Sequence, residues 1–268
     1  MTATITACTV IALCLMIFFL VSPAWERPQR NLFSGIMFAH RGLFDAGAGV
    51  PENSLSAFRA ARDGGFGIEL DVRLTRDGFP VVFHDESLER ICGANVKVSE
   101  YDLDRLRTLR LSNTDEKIPT LEEALKESGS APLICDIKPN KPDDVKEICE
   151  KVYSELRKSS CIWSVESFSP LVLKWFMRNA PDAVRGQLIC RPHGRSAAEL
   201  LAANALFNFI SRPDFIAYEY GMKTPGLLAA LASNPLTVTW TVRTDAQAEK
   251  ASRRADSIIF EKFAENKP

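Results

Sequence analysis

The stretch GIELDVRLTRDGFPVVFHD, residues 67–85, holds two apolar runs separated by five residues, TRDGF. Parallel strands cannot be joined across so short a gap, whereas antiparallel ones can. Asp77–Gly78 is a turn signal, so the stretch predicts a hairpin. With the turn centred between Asp77 and Gly78, Asp71 and His84 become cross-strand neighbours. Glu69 and Asp71, two apart, point to one face of their strand, and Ile68, Leu70 and Val72 point to the other.

Around the hairpin the chain alternates. Strand-like runs fall at 35–40, 131–138, 161–167, 184–189, 215–220, 236–242 and 257–261, besides 67–74 and 80–84. Helical patterns lie between them. NSLSAFRAARDGG starts at Asn53 or Ser54 and stops at Gly64–Gly65, and TLEEALKES opens with a Thr120/Glu123 capping box. SPLVLKWFMRNAP, SAAELLAANALF, TPGLLAALAS and TDAQAEKASRRA follow. Strand–helix alternation predicts a mainly parallel sheet. Setting aside the returning strand 80–84 leaves eight strands, the number that closes a (β/α)8 TIM barrel, and about 230 residues suffice for one. The expected division is an apolar segment at 1–25, a linker at 26–34 and the barrel at 35–268, with an insertion at about 85–118.

In a barrel, the apolar face of 67–74 packs on helices and its carboxylates turn inward. Unpaired charges there are costly, and a cation removes the cost. Oxygen donors suit Ca2+ or Mg2+. LICDIKP repeats the device with Asp136 and Lys138 at i and i+2, on the strand expected beside 67–74. Asp136 is a third ligand by this reading and Lys138 meets a substrate anion; an internal Asp136–Lys138 salt bridge is the alternative. Arg41, after the first strand, suits bidentate phosphate binding. His40 and His84 are two of only three histidines and form an acid/base pair. His193, in RPHGR, is a loop residue without a role.

AHRG, PENSLSAF, the pattern from Gly67 to Asp85, IPTLEEAL and DIKP together resemble the glycerophosphodiester phosphodiesterases, most densely over 37–90 and more weakly to TWTVRT and ADSIIFE. The resemblance implies a TIM barrel with a small insertion after FHD. It implies one divalent cation, Ca2+ or Mg2+, held by Glu69, Asp71 and Asp136. It further implies His40 and His84 as acid and base, Arg41 and Lys138 as phosphate contacts, Glu52 and Asn53 lining the site, and Trp240 against the glycerol. Ser167 and Phe168 match a further family segment. The expected reaction is hydrolysis of a glycerophosphodiester to glycerol 3-phosphate and an alcohol, in lipid and glycerol metabolism. The alternatives are a lysophospholipase D or envelope-polymer phosphodiesterase, and a non-catalytic, membrane-tethered phosphodiester-binding protein. An apolar rim at the barrel mouth favours lipid; FNFISRPDF, 207–215, is the candidate stretch. Two residues depart from the family. Asp136 stands where a glutamate is usual, and Arg243 where an asparagine is common. Ser54 for threonine is a milder change.

Composition adds limits. The 268 residues are 25% charged and 46% hydrophobic with a formal net charge of −1, which gives no electrostatic footprint for nucleic acid. Residues 5–25 carry no charge, and as a helix they predict a single-pass membrane anchor. No basic residue precedes the run and Pro23 spoils the small-residue cleavage site, so the reading is an uncleaved anchor rather than a removed signal. Arg27 and Arg30 follow it and predict a cytoplasmic catalytic domain. Five cysteines lie beyond the apolar run with no C-x-x-C pair, which points to reduced thiols. The sequence carries no signal for oligomeric state.

Overall fold

A computed structural model of the chain describes residues 2–24, 28–192, 206–222 and 235–261. Nine strands follow in order: β1 (Met37–Ala39), β2 (Gly67–Leu74), β3 (Pro80–Val82), β4 (Leu133–Ile137), β5 (Trp163–Ser167), β6 (Val184–Ile189), β7 (Phe215–Glu219), β8 (Leu236–Val242) and β9 (Ser257–Phe260). All but β3 run parallel, and β1 pairs with both β2 and β9, so eight strands close into a barrel. The helices are α1 (Thr2–Val21), α2 (Leu55–Asp63), α3 (Glu89–Cys92), α4 (Leu103–Leu106), α5 (Leu121–Ser128), α6 (Val145–Leu156), α7 (Pro170–Asn179), α8 (Asn208–Ser211) and α9 (Asp245–Ser252).

The strands are buried on both faces, as parallel strands covered by helices must be. Ile68, Leu70 and Val72 pack outward against Phe58 of α2 and Leu121 of α5, as their alternation requires. The caps are those the sequence announces. Ser54 Oγ accepts the Ala57 N–H, and Thr120 and Glu123 exchange both bonds of a capping box. Inside, Phe33, Phe38, Phe215 and Ile259 close the N-terminal end of the barrel. Phe215 lies so close to β6 that a Cβ on Gly186 would come within 2.1 Å of its ring, so only glycine fits there. Plugged at one end, the barrel opens at the C-terminal ends of its strands.

The hairpin differs from expectation by one residue. Val72 pairs with Val82 and the Phe83 N–H donates to the Asp71 carbonyl, so Asp71 faces Phe83, not His84. The turn is centred on Asp77: Thr75 N–H donates to Phe79 O, and Gly78 takes φ +79°. The odd loop shifts every pair by one. After β3 the excursion to Ile118 carries α3 and α4 over its own apolar cluster, which includes Val81, Phe83, Leu88 and Leu106. The expected linker is ordered from Pro28 to Phe33 as a 3-10 helix whose Phe33 stacks on Phe38. The longest helix that was not expected, α6, packs Ile148, Cys149 and Val152 onto the barrel.

The N-terminal expectation is corrected. Among the described residues no helix is long and apolar enough to cross a membrane, so the single-pass anchor, the membrane contact and the cytoplasmic placement drawn from it fall away. The expected anchor segment forms α1, 20 residues from Thr2 to Val21. Its last turn is also committed to the domain. Asn208 Nδ2 donates to Val21 O at 2.8 Å, Arg212 Nη1 donates to Phe19 O and Ser22 O, and residues 21–24 are buried. The stretch 207–215 thus supplies α8 as a seat for α1 and Phe215 as the barrel plug, at the end away from the mouth. It forms no apolar rim. His193 and the helical patterns of 196–205 and 224–233 lie outside the described residues.

Candidate active site

Strand register places the charged groups. Asp71 of β2 is level with Asp136 of β4, and Asp136 with Glu166 of β5. The parallel ladder therefore presents one row of carboxylates at the mouth, with Glu69 one step deeper on β2. Glu69, Asp71 and Asp136 each offer an oxygen within 4.8 Å of the others, and all three are buried. Lys138 reaches back to Asp136 Oδ2 at 2.5 Å and Asp71 Oδ1 at 3.2 Å, so the internal salt bridge is present. Arg41 Nε lies 3.5 Å from Asp71 Oδ2, and its backbone N–H donates to Glu69 at 2.9 Å.

The loop after β1 makes this possible. Arg41 and Gly42 both take positive φ, and a Cβ on Gly42 would strike Ala57 at 2.8 Å. Glycine lets the loop press on the start of α2, which turns the Arg41 N–H toward Glu69. Asn53, also at positive φ, donates from Nδ2 to Asp71 Oδ2 at 2.8 Å. Glu52 accepts from Arg41 Nη1 at 2.7 Å. Glu52 and Asn53 thus brace Arg41 and Asp71 from behind; the cavity wall itself does not include them.

Both histidines line the same cavity of about 150 Å³, with the three carboxylates, Arg41, Lys138, Glu166, Phe168 and Trp240. His84 arrives there despite the shifted register, because β3 ends at Val82 and Arg73 Nε holds the His84 carbonyl at 2.9 Å. Each ring has a carboxylate on Nδ1: Glu261 on His40 at 3.1 Å, Asp85 on His84 at 2.6 Å. Such a contact fixes the ring and leaves Nε2 free toward the cavity. Arg243 grips Glu261 through Nε at 3.0 Å and Nη2 at 3.2 Å. Arg90, from α3, donates to Asp85 at 2.6 Å and to both Glu52 oxygens at 2.9 and 2.7 Å. Trp240 meets Phe168 edge to face at 5.9 Å, and its buried Nε1 has no partner among the described residues. Ser167 faces away, donating to Ile137 O.

Electrostatics sorts the carboxylates. Burial, then Asp71 and Asp136, push Glu69 well above the ordinary range. Asp136 is raised by burial and by Asp71, against Lys138. Burial acts on Asp71 in the same sense, but Lys138 and Arg41 outweigh it and hold Asp71 low. Burial lowers His40 and His84, which favours neutral imidazoles. A site with too many carboxylates for its cations fits a divalent ion: Asp136 Oδ1 and Glu166 Oε2 are buried without a hydrogen-bond partner among the described residues. Glu69, Asp71 and Asp136 are the residues that could hold it.

Sequence reasoning missed Glu166, Asp85, Arg90 and Glu261, and gave Arg243 no structural task. Asp85 had a signal, since it directly follows His84. The Glu261 contact needs the closure of β9 on β1, bringing together residues 221 apart.

The model of the glycerophosphoryl diester phosphodiesterase family matches residues 40–263. Bovine glycerophosphodiester phosphodiesterase 1 is 29% identical over 269 residues, covering 85% of this chain and 78% of its own. A human lysophospholipase D is 31% identical over 169 residues, 58% of this chain and about half (52%) of the human protein. An Oleispira antarctica phosphodiesterase, solved with its product sn-glycerol-3-phosphate, shares the fold at TM-score 0.70 and 21% identity, over 85% of this chain and 93% of its own. With both the family match and the barrel-mouth constellation in hand, the chain belongs to the glycerophosphoryl diester phosphodiesterase family of enzymes.

Proposed function

We propose that the chain hydrolyses glycerophosphodiesters to glycerol 3-phosphate and an alcohol, with one Ca2+ or Mg2+ at Glu69, Asp71 and Asp136. The observation that carries this reading is the pair of histidines, each oriented by a carboxylate, facing one carboxylate cluster across one cavity. When bound, the cation supplies Lewis-acid stabilisation of the non-bridging phosphate oxygens. Arg41 binds a phosphate oxygen, its guanidinium held in place by Glu52. Lys138 balances Asp71 and Asp136 and offers its remaining donors to the phosphate. One histidine takes the proton of the substrate's neighbouring glycerol hydroxyl as that oxygen attacks phosphorus. The other protonates the departing alcohol, and a cyclic phosphate remains. Water then opens the ring with the two roles reversed. Trp240 and Phe168 form an apolar wall against the glycerol carbons, and the free indole N–H is a donor for a substrate oxygen.

The test is turnover of glycerophosphocholine and a lysophospholipid by the full chain, with EDTA and with Ca2+ or Mg2+ restored. Metal-dependent release of glycerol 3-phosphate from the first supports the reading. Preference for the second moves the substrate to lysophospholipids, which the half-exposed Phe168 at the mouth would contact. No turnover of either by folded, metal-loaded protein would refute the proposed substrates.

A further inference from the structure

Glu166 lies outside the three-carboxylate cluster yet is 1% exposed, lines the same cavity and stands level with Asp136 on the next strand. Among the described residues nothing satisfies its Oε2. The Asp136 oxygen Oδ1 is in the same condition, because Lys138 occupies only Oδ2. Two partnerless carboxylate oxygens on adjacent strands, side by side in one cavity, are an unstable arrangement in a folded chain. The charge is unbalanced as well. Glu69, Asp71, Asp136 and Glu166 face two cations in contact with the group, Lys138 and Arg41. The excess of two negative charges is that of one divalent ion.

Position decides what Glu166 does. Aspartate has a short reach, and Asp136 is already drawn toward Lys138. The space between the ion's place and β5 is therefore left to Glu166. Because Glu166 is not among the three residues whose oxygens cluster within 4.8 Å, its link runs through a coordinated water. We propose that Glu166 is the outer carboxylate of this metal centre, accepting a hydrogen bond from a water on the cation. It is a positioning residue, acting through that water. The inference rests on the metal reading above and goes beyond its three ligands.

The competing role is a neutral Glu166 that donates a hydrogen bond to Asp136. Glutamine preserves that donor and its size but cannot carry the charge, so Glu166→Gln separates the two. The measurement is Mn2+ and Mg2+ affinity of the full chain by isothermal titration, for wild type, Glu166→Gln and Glu69→Gln. Outer carboxylates of metal sites are worth about 10–100-fold in affinity. Glu166→Gln is therefore expected to weaken binding about tenfold or more while leaving one ion per chain. Affinity within about threefold of wild type overturns the inference and leaves the metal centre standing. Absence of any divalent binding by the wild type overturns the metal reading itself. Should the variant fail to fold, Mn2+ anomalous diffraction on wild-type crystals decides. A peak at Glu69, Asp71 and Asp136 with the Glu166 carboxylate about 4–5 Å away through one water supports the assignment. A Glu166 turned onto protein donors instead refutes it.

Discussion

Replacing Lys138 by methionine removes the ammonium that sits 2.5 Å from Asp136 and 3.2 Å from Asp71 and keeps the stem. Breaking a buried ion pair costs about 3–5 kcal/mol. The lower end applies, because Asp71 keeps Asn53 and Arg41, and only Asp136 is stripped. The expected loss in EDTA is therefore about 3 kcal/mol, or a melting temperature lowered by roughly 6–12 °C in a domain of this size. Saturating Mg2+ reverses part of this. A cation held by the same oxygens would lie ~5 Å from the Lys138 nitrogen, and their repulsion is about 1.7 kcal/mol even at the dielectric of water. Lys138→Met relieves it, so the ion binds roughly 20-fold tighter and the stability gap narrows to about 1 kcal/mol. Urea denaturation of both proteins, in EDTA and in saturating Mg2+, reads all four values. A gap that stays constant or widens on adding Mg2+ would show that Lys138 and the cation do not share those carboxylates.

His40→Ala and His84→Ala should each lower kcat by at least 100-fold with unchanged circular dichroism, and near wild-type turnover in either removes that residue from the mechanism. Glu69→Gln should weaken Mg2+ binding, and titration curves superimposable on wild type would exclude ligation. Glu261→Gln removes the negative charge from the acceptor that raises His40, so the acid limb of the pH–rate profile should move to lower pH; a fixed limb assigns it elsewhere. The His40 contact, assisted by Arg243, holds Glu261 at about 2, below its ordinary 4.5. Its contribution to stability is thus complete above about pH 4.5 and fades as pH falls toward 2, and Glu261→Gln should flatten that part of the curve. Arg90→Ala, which frees Glu52 and Asp85 together, should lower kcat about tenfold with Mg2+ affinity intact; unchanged kinetics would mean that both carboxylates hold their places unaided.

Much of the barrel was legible because buried parallel strands and short turns leave strong local marks. All nine strands and the caps at Ser54 and Thr120 were readable from apolar runs and single residues. The missed α6 shows how such marks are masked. Val145, Ile148, Cys149, Val152 and Leu156 keep helical spacing, but charged residues fill the intervals and KPNKPDD precedes them. The one-residue slip at His84 arose from turn geometry, which depends on whether Asp77 or the bond after it is the centre. At the site, the residues that meet at the barrel mouth could be read from strand position. Those that hold them could not, because Glu261 and Arg90 meet their partners only after closure of the barrel and folding of the insertion. Glu166 read as an ordinary member of an alternating strand; its neighbour Asp136 is 30 residues away and meets it through sheet register alone.

The insertion after β3 has an apolar cluster of its own, distinct from the clusters of the barrel. Segments with separate cores open separately, at less free energy than the whole. Arg90 belongs to this segment, and Asp85 lies at its root. An opening of the insertion would release the Arg90 clamp and the His84 ring while the carboxylates on β2, β4 and β5 stay paired in the sheet. Amide hydrogen exchange should therefore proceed faster in α3 and α4 than in β4 and β5. On warming, catalysis should fail before the barrel melts, so residues at the base of the insertion can set the working temperature of an enzyme whose carboxylate cluster they never touch.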